Sequence, residues 1–171
     1  FEKIGVLKNK SKVILDYAHT PDALETILKN VKEQFPSSKI CLVFGCGGDR
    51  DKDKRFKMGK IASLYAHKIY LTDDNPRSES PQKIRSEIKK GIKYKNIQEV
   101  PERKKAILKC INNLCTGDIA IIAGKGHEKT QDYNGKKKFF SDRKEILNSI
   151  LKKNKLLFKK LRMSFKKLFV F

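Results

Sequence analysis

The sequence predicts an α/β fold that is Rossmann-like, with a mostly parallel sheet and helices on both faces. Short apolar runs alternate with segments whose apolar residues recur at helical spacing, a pattern typical of parallel sheets covered by helices. Four of these runs end in polar or glycine-rich clusters, which read DYAHTPD, GCGGDRD, TDDNPR and AGKGHE. Ligands of such folds bind beyond the carboxyl ends of the strands, so the four clusters predict one shared binding edge.

The first half of the chain contains three predicted strands and three predicted helix starts. The strand KVILD, residues 12–16, precedes a helix that Thr20 caps and Pro21 opens. KICLVFG is the second strand, and a helix from about Phe56 to Ala66 follows its glycine loop. HKIYLT is the third strand, and the pair Ser80-Pro81 starts the next helix in the same way as Thr20-Pro21.

The second half continues the alternation. A weak strand over residues 97–100 precedes a helix that carries Ile107 and Ile111. DIAIIAGKGHE contains the strongest predicted strand, because its apolar run is unbroken before a second glycine loop. KKFFSDR predicts a short last strand, after which Ser141 caps the final helix.

The C-terminal segment differs from the rest, and we predict a domain over residues 1–150 with a basic amphipathic extension over 151–171. The extension has eight Lys or Arg residues and no acidic residue, and Leu157, Phe158, Leu161, Phe165, Leu168 and Phe169 keep helical spacing. Such a helix can lie on an anionic membrane or dock on another domain. Membrane contact is the less favoured alternative. No apolar run approaches the ~20 residues of a membrane span, and we expect a cytoplasmic protein.

The net charge and the cysteines narrow the function classes. Forty Lys and Arg against 19 Asp and Glu give a formal charge of +21, which could serve a polyanionic partner. The excess is mostly lysine and lacks interleaved aromatic residues, so no nucleic-acid partner is expected. Cys41, Cys46, Cys110 and Cys115 lack zinc spacing. We expect reduced thiols and no metal site within this chain.

The glycine loops do not form a self-contained nucleotide site. In GCGGDR, Arg50 occupies the position where a dinucleotide fingerprint needs its last glycine. The Walker pattern of a phosphate-binding loop is absent from the sequence. What remains is a balanced polar set of Arg50 and Arg77 beside Asp74 and Glu128. This set would suit a small amino acid that carries more than one carboxylate and more than one ammonium group. Each guanidinium group can donate two hydrogen bonds to a carboxylate, and each acidic side chain can accept hydrogen bonds from an ammonium group. Taken singly, each would be an ordinary surface ion pair worth ~0–1 kcal/mol.

Six motifs carry a resemblance to a known family. DYAHTPDALE, VFGCGGDRDKDKR, MGKIA, TDDNPRSESPQKI, AGKGHEKTQ and FSDR occur in this order between about Lys12 and Leu151. Together they resemble the C-terminal domain of the Mur ligases of peptidoglycan synthesis, and within that family the members that add diaminopimelate. The extension after residue 150 lies outside the resemblance. The chain begins with Phe1, and we expect it to be a piece of a longer protein.

The resemblance implies a three-domain cytoplasmic enzyme of which this chain is the last domain. The missing first domain would hold UDP-MurNAc-L-Ala-D-Glu. The missing central domain would bind ATP with a phosphate loop and Mg²⁺ with the help of a carbamylated lysine. ATP would phosphorylate the glutamyl carboxylate, and the amine of the amino acid would attack the acyl phosphate. This domain would position the amino acid and close over ATP, with no catalytic nucleophile or metal site of its own.

The resemblance also implies site residues. A set on three loops would bind meso-diaminopimelate: Arg50, Asp74, Asn75, Pro76, Arg77, Gly124 and Glu128. Asp16 and His19 would lie on the ATP side. Arg77 would bind the distal carboxylate that lysine lacks, and family members that use lysine lack this arginine. A site built for a polar group can reject an analogue without it by ~10⁴–10⁵.

Two other classes of function stay open. A stand-alone module that binds an amino acid or a nucleotide would need no upstream domains. A basic protein of nucleic acids or membrane surfaces would bind with steep salt dependence and would lose binding without residues 151–171.

Overall fold

The computed structural model describes residues 2–93 and 96–168, and the side chains of the last helix up to Lys159. The strands are β1 (Glu2–Val6), β2 (Lys12–Asp16), β3 (Ile40–Phe44), β4 (Lys68–Leu71), β5 (Ile97–Glu99), β6 (Ile119–Ala123), β7 (Thr130–Tyr133) and β8 (Lys136–Phe139). The helices are α1 (Pro21–Gln34), α2 (Asp53–Tyr65), α3 (Pro81–Lys89), α4 (Arg103–Asn112) and α5 (Asp142–Leu168).

The main sheet has six strands in the order β1-β2-β6-β3-β4-β5. Five of them, β2, β6, β3, β4 and β5, run parallel, and β1 pairs antiparallel with β2 at the edge. The predicted fold class is confirmed. The loops after β2, β3, β4 and β6 therefore leave the sheet at the same edge, as the four polar clusters predicted.

Helices cover both faces of the sheet and enclose two apolar cores. Helices α1, α2 and α3 bury Leu28, Met58 and Ile88 against one face. On the other face, α4 and α5 bury residues such as Ile107 and Ile146. Side chains of a strand alternate between faces, so β3 and β6 supply both cores. This burial explains why their sequences are continuously apolar.

The predicted helix starts at Thr20 and Ser80 are confirmed. The hydroxyl of Thr20 accepts a hydrogen bond from the Ala23 amide at 3.3 Å, and that of Ser80 accepts one from the Lys83 amide at 3.4 Å. Each is followed by proline at the first helical position, where a missing amide hydrogen costs nothing. The two caps fix where the chain turns away from the sheet edge.

The structure moves one predicted helix start and adds two features that were not predicted. Helix α2 begins at Asp53 rather than near Phe56, because the Asp51 carboxylate accepts a hydrogen bond from the Asp53 amide at 2.8 Å and starts the turn early. The short strand predicted from KKFF is real, but it pairs with β7 in a separate antiparallel hairpin. The edge strand β1 was not predicted; its pairing with β2, rather than its own pattern, defines it.

Helix α5 passes residue 151 without a break. The Asn154 side chain accepts a hydrogen bond from the Lys8 amide at 3.1 Å, and the Lys8 ammonium lies 3.4 Å from the centre of the Phe158 ring. The apolar positions predicted from Leu161 onward lie outside the described side chains, and the division at residue 150 stays a prediction. Within the described residues, no helix combines the length and apolarity that crossing a membrane requires.

Candidate functional site

A cavity of about 550 Å³ opens at the carboxyl edge of the sheet. Seven of the nine predicted site residues line it: His19, Arg50, Asp74, Asn75, Arg77, Gly124 and Glu128. They come from the loops after β2, β3, β4 and β6. The volume lies in the range of ordinary small-molecule sites. The structure therefore brings most of the predicted residues into one place.

The other two predicted residues lie close by but do not line the cavity. Pro76 is buried, and its carbonyl contacts the glycine loop. Asp16 borders a separate groove along α1. Its carboxylate turns back onto its own loop and accepts a hydrogen bond from the Ala18 amide at 2.8 Å. This bond shapes the DYAHTP loop that carries His19 to the mouth of the cavity.

The backbone of Arg77 has a conformation that side chains rarely adopt, with φ of +53°. The hairpin of β7 and β8 holds it there. The Arg77 amide donates to the Asp132 carbonyl at 3.1 Å, and the Asn134 amide donates to the Arg77 carbonyl at 2.8 Å. Because residues with positive φ persist only where their surroundings over-determine them, the hairpin is the element that aims Arg77.

The glycine loop after β3 packs directly against the DNPR stretch. A Cβ atom at Gly48 would lie 1.9 Å from the Pro76 carbonyl oxygen, so only glycine fits. The Gly48 amide donates to the Asn75 carbonyl at 2.9 Å, and the Arg77 guanidinium donates to the Gly48 carbonyl at 2.7 Å. The bond to Gly48 places one edge of the guanidinium against backbone. Arg77 remains half-buried on the cavity wall.

Arg50 is the second guanidinium of the cavity and is exposed. It donates a hydrogen bond to the Asp49 carbonyl at 3.1 Å. Asp49 in turn accepts from the amide and the hydroxyl of Ser78, at 3.1 and 2.6 Å, and these bonds lower the pKa of its carboxyl. The loop that carries Arg50 is thereby tied to the residue after Arg77.

The acidic residues of the cavity lining are held in place by a buried lysine. The Lys125 side chain is 0% exposed, and its ammonium donates to Asn75 Oδ1 and Glu128 Oε2 at 2.9 Å each and to Asp74 Oδ1 at 3.3 Å. Asn75 Nδ2 also donates to Glu128 Oε2 at 2.9 Å. Burial raises the pKa of the Glu128 carboxyl, but the bonds from Lys125 and Asn75 outweigh burial and lower it.

Sequence reasoning missed Lys125, although the AGKGHE motif contains it. The signal was its two flanking glycines. Gly124 and Gly126 have φ of +116° and +53°, and a Cβ at Gly126 would lie 2.9 Å from Tyr17 Cβ. A lysine between two glycines in a loop at the end of a strand can turn its side chain inward. In a chain with so many lysines, this one did not stand out as a buried residue.

The doubled aspartate of the TDDNPR stretch divides into two roles. Asp74 faces the cavity. Asp73 points away from it, forms a buried ion pair with Arg85, and accepts a hydrogen bond from the Tyr133 hydroxyl at 3.0 Å. Burial raises the pKa of Asp73 despite these partners. Asp73 therefore anchors the DNPR stretch to α3 and to the hairpin, while Asp74 belongs to the site.

A second ion-pair cluster, built around Arg55, connects the glycine loop after β3 with the segment around α3. The Arg55 side chain is 0% exposed, and its guanidinium pairs with Glu79 at 2.8 Å and with Glu87 at 2.6 Å. It also donates to the Gly47 carbonyl at 3.3 Å. The pairing lowers the pKa of Glu79 to about 2. Arg55 thus joins α2, α3 and the glycine loop.

Three rings lie close together, and two of them belong to the cavity lining. Tyr17 and His19 have ring centres 4.6 Å apart, and Tyr17 and His127 have theirs 5.5 Å apart. All three are exposed, and Tyr17 and His19 line the cavity. Among the described residues, no three His, Cys, Asp or Glu side chains converge in a way that could hold a metal ion.

Known proteins share this fold and are similar to this chain in sequence. Residues 1–126 match the family described as "Mur ligase, glutamate ligase domain". Two similar curated proteins are both named UDP-N-acetylmuramoyl-L-alanyl-D-glutamate--2,6-diaminopimelate ligase. The one from Wigglesworthia glossinidia brevipalpis is 52% identical over 152 residues, which is 88% of this chain and 30% of that protein. The one from Buchnera aphidicola subsp. Baizongia pistaciae is 50% identical over 147 residues, 85% of this chain and 29% of that protein.

A solved structure of a protein with the same name superposes with a TM-score of 0.77 and 42% identity, covering 82% of this chain and 29% of that one. The fold and the sequence similarity thus place this chain among ligase domains. The chain belongs to the Mur ligase family and corresponds to its C-terminal domain. It spans about 30% of the length of the curated relatives it matches.

Proposed function

We propose that this chain is the amino-acid-binding domain of an ATP-dependent ligase that adds meso-diaminopimelate to UDP-MurNAc-L-Ala-D-Glu. The observation that carries the proposal is the mixed charge of the cavity lining. Arg50 and Arg77 line the same cavity as Asp74, Asn75 and Glu128, and Asn75 donates a hydrogen bond to Glu128. An amino acid with two carboxylates and two ammonium groups finds complementary partners for both kinds of group in this lining.

We propose that Arg77 binds the distal carboxylate of meso-diaminopimelate. Its guanidinium already has one bond to the Gly48 carbonyl, which leaves other N–H groups for a ligand. L-lysine would place no carboxylate there, and the half-buried guanidinium would lose a charge-assisted hydrogen bond. Pro76 and the hairpin hold the turn, so little ordering would be needed on binding.

ATP and Mg²⁺ would be bound mainly by the central domain, which lies outside this chain. The loop from Tyr17 to Pro21 would approach the nucleotide, with His19 at the cavity mouth and Asp16 shaping the loop. ATP would supply the phosphoryl group that activates the glutamyl carboxylate. The residues of this chain would hold the amine of the amino acid in line, and positioning of this kind can lower a barrier substantially. We propose a cytoplasmic location for the complete enzyme.

The other readings are less well supported. A module that only binds an amino acid would share the cavity, and the similarity to ligases over most of the chain favours the catalytic role. A nucleic-acid or membrane-surface protein would not need a cavity with opposed charges at the strand ends.

Calorimetric titration of the 171-residue chain with meso-diaminopimelate and with L-lysine tests the proposal. We expect tighter binding of meso-diaminopimelate, and a loss on the order of 100-fold in Arg77→Ala that spares L-lysine. Arg143→Ala is the matched control, because this exposed arginine does not line the cavity and its ion pair among the described residues is with Glu2. Equal affinities for both amino acids would contradict the role of Arg77.

A further inference from the structure

The buried ammonium group of Lys125 carries an inference beyond the residues that would touch the amino acid. Its three N–H donors are matched by three acceptors, on Asp74, Asn75 and Glu128. Because the side chain is 0% exposed, no ligand in the cavity can displace these bonds without unpacking the loop. Lys125 can therefore act only through the groups that it holds.

The hydrogen bonds orient Glu128 in one way. Its Oε2 atom accepts from both Lys125 Nζ and Asn75 Nδ2, at 2.9 Å each. Its Oε1 atom accepts no hydrogen bond from the residues that the structure describes, and the side chain is 32% exposed on the cavity wall. One carboxylate oxygen is thus committed to the scaffold and the other is left for a ligand.

The charges around Lys125 lead to the same conclusion. Asp74 and Glu128 bring two negative charges to one cation, Lys125. These three charged groups together carry one net negative charge, which matches one ammonium group of a ligand. Without Lys125, two neighbouring carboxylates would repel each other, and one of them would take up a proton or turn away. Arg50, Arg77, Lys54 and Asp51 also line the cavity, and within the described residues none of them hydrogen-bonds to Glu128. The charge of Arg77 contributes to the lowered pKa of Glu128, and the buried Arg103, which pairs with Asp142, interacts with both Asp74 and Glu128.

We propose that Lys125 is a positioning residue that sets the charge and orientation of an ammonium subsite formed by Glu128, Asn75 and Asp74. The identity of the ligand as an α-amino or distal ammonium group of a diamino acid rests on the proposed function. Two positive-φ glycines, Gly124 and Gly126, let the loop turn Lys125 beneath it.

The test compares Lys125→Met with Lys129→Met in the full chain. Lys129 lies on the same loop and is exposed, so the control makes the same change of charge without entering the subsite. The Glu128 carboxyl is titrated by NMR, and meso-diaminopimelate is titrated by calorimetry. We expect Lys125→Met to raise the pKa of Glu128 and to weaken binding on the order of tenfold to a hundredfold, with both quantities unchanged in Lys129→Met. If Lys125→Met does not fold, Lys125→Gln, which keeps a neutral donor, serves in its place.

The outcomes separate the two proposals. A folded Lys125 variant with the wild-type pKa of Glu128, or with wild-type affinity, would overturn the inference. A wild-type chain that binds no meso-diaminopimelate would count against the proposed function. In that case the Glu128 titration still decides whether Lys125 sets the charge of the subsite, because it needs no ligand.

Discussion

Individual residues of the site were predictable where the sequence placed opposite charges on neighbouring strand ends. Arg50, Arg77, Asp74 and Glu128 all line the cavity. Lys125 and Arg55 were not predicted, since a buried cation in a lysine-rich chain has no sequence signature until its partners are known. Asp73 and Asp74 are adjacent in sequence, and only the structure shows that Asp73 pairs with Arg85 while Asp74 faces the cavity.

Glu79 gives a prediction for the pH dependence of stability. Arg55 lowers the pKa of Glu79 from 4.5 to about 2. A carboxyl whose pKa is lower in the folded state stabilises the fold above its unfolded pKa, and this stabilisation is lost as the pH falls through the folded value. We therefore expect the Glu79 contribution to be complete above about pH 4.5 and to vanish near pH 2.

Urea denaturation at pH 7 and pH 3 measures this contribution. Glu79→Gln should be less stable than the wild type at pH 7, and the gap should narrow at pH 3. Glu102→Gln is the control, since Glu102 is exposed and pairs with Lys105 on the surface, and such pairs contribute ~0–1 kcal/mol. A gap for Glu79→Gln that is the same at both pH values would contradict the linkage to Arg55.

At the scale of elements, the parallel strands and their helices were predictable because each has a strong apolar period and a capping signal. The hairpin of β7 and β8 was only half predicted. Its sequence is polar on both sides and packs into no core, so hydrophobic periodicity does not reveal it. The Asn134-Gly135 pair, with φ of 51° and 74°, was the available signal for a tight hairpin turn.

The hairpin is predicted to control the affinity of the cavity through Arg77. Gly135→Val would strain the turn, because φ of +74° is unfavourable for a β-branched residue. We expect a loss of stability of about 1–3 kcal/mol together with weaker binding of meso-diaminopimelate. Gly117→Val is the matched control: Gly117 has φ of +80°, and a Cβ there, as at Gly135, meets no atom within 4 Å.

The control lies just before β6, at the opposite edge of the sheet from the cavity. It should therefore lose stability to a similar degree while binding normally. Thermal unfolding and calorimetry on both variants provide the comparison. Equal loss of binding in the two variants would show that the hairpin affects the site only through global stability.

At the scale of the whole molecule, the sheet brings four loops together, and the similarity to Mur ligases extends over most of the chain. The alternation of strands and helices made this arrangement predictable. The contacts that α5 makes beyond residue 151 were less predictable, because they involve Lys8, near the other end of the chain. Interactions between such distant positions leave no periodic trace in the sequence.

The most direct test of the account is the amino-acid selectivity of a complete enzyme that contains this domain. Residues 12–150 of this chain would replace the matching segment of the Wigglesworthia relative, and ADP release would be followed with UDP-MurNAc-L-Ala-D-Glu and ATP present. We predict release that depends on meso-diaminopimelate rather than L-lysine, with kcat/KM lowered on the order of 100-fold by Arg77→Ala. A folded chimera that uses L-lysine equally well, or that is indifferent to Arg77→Ala, would contradict the account.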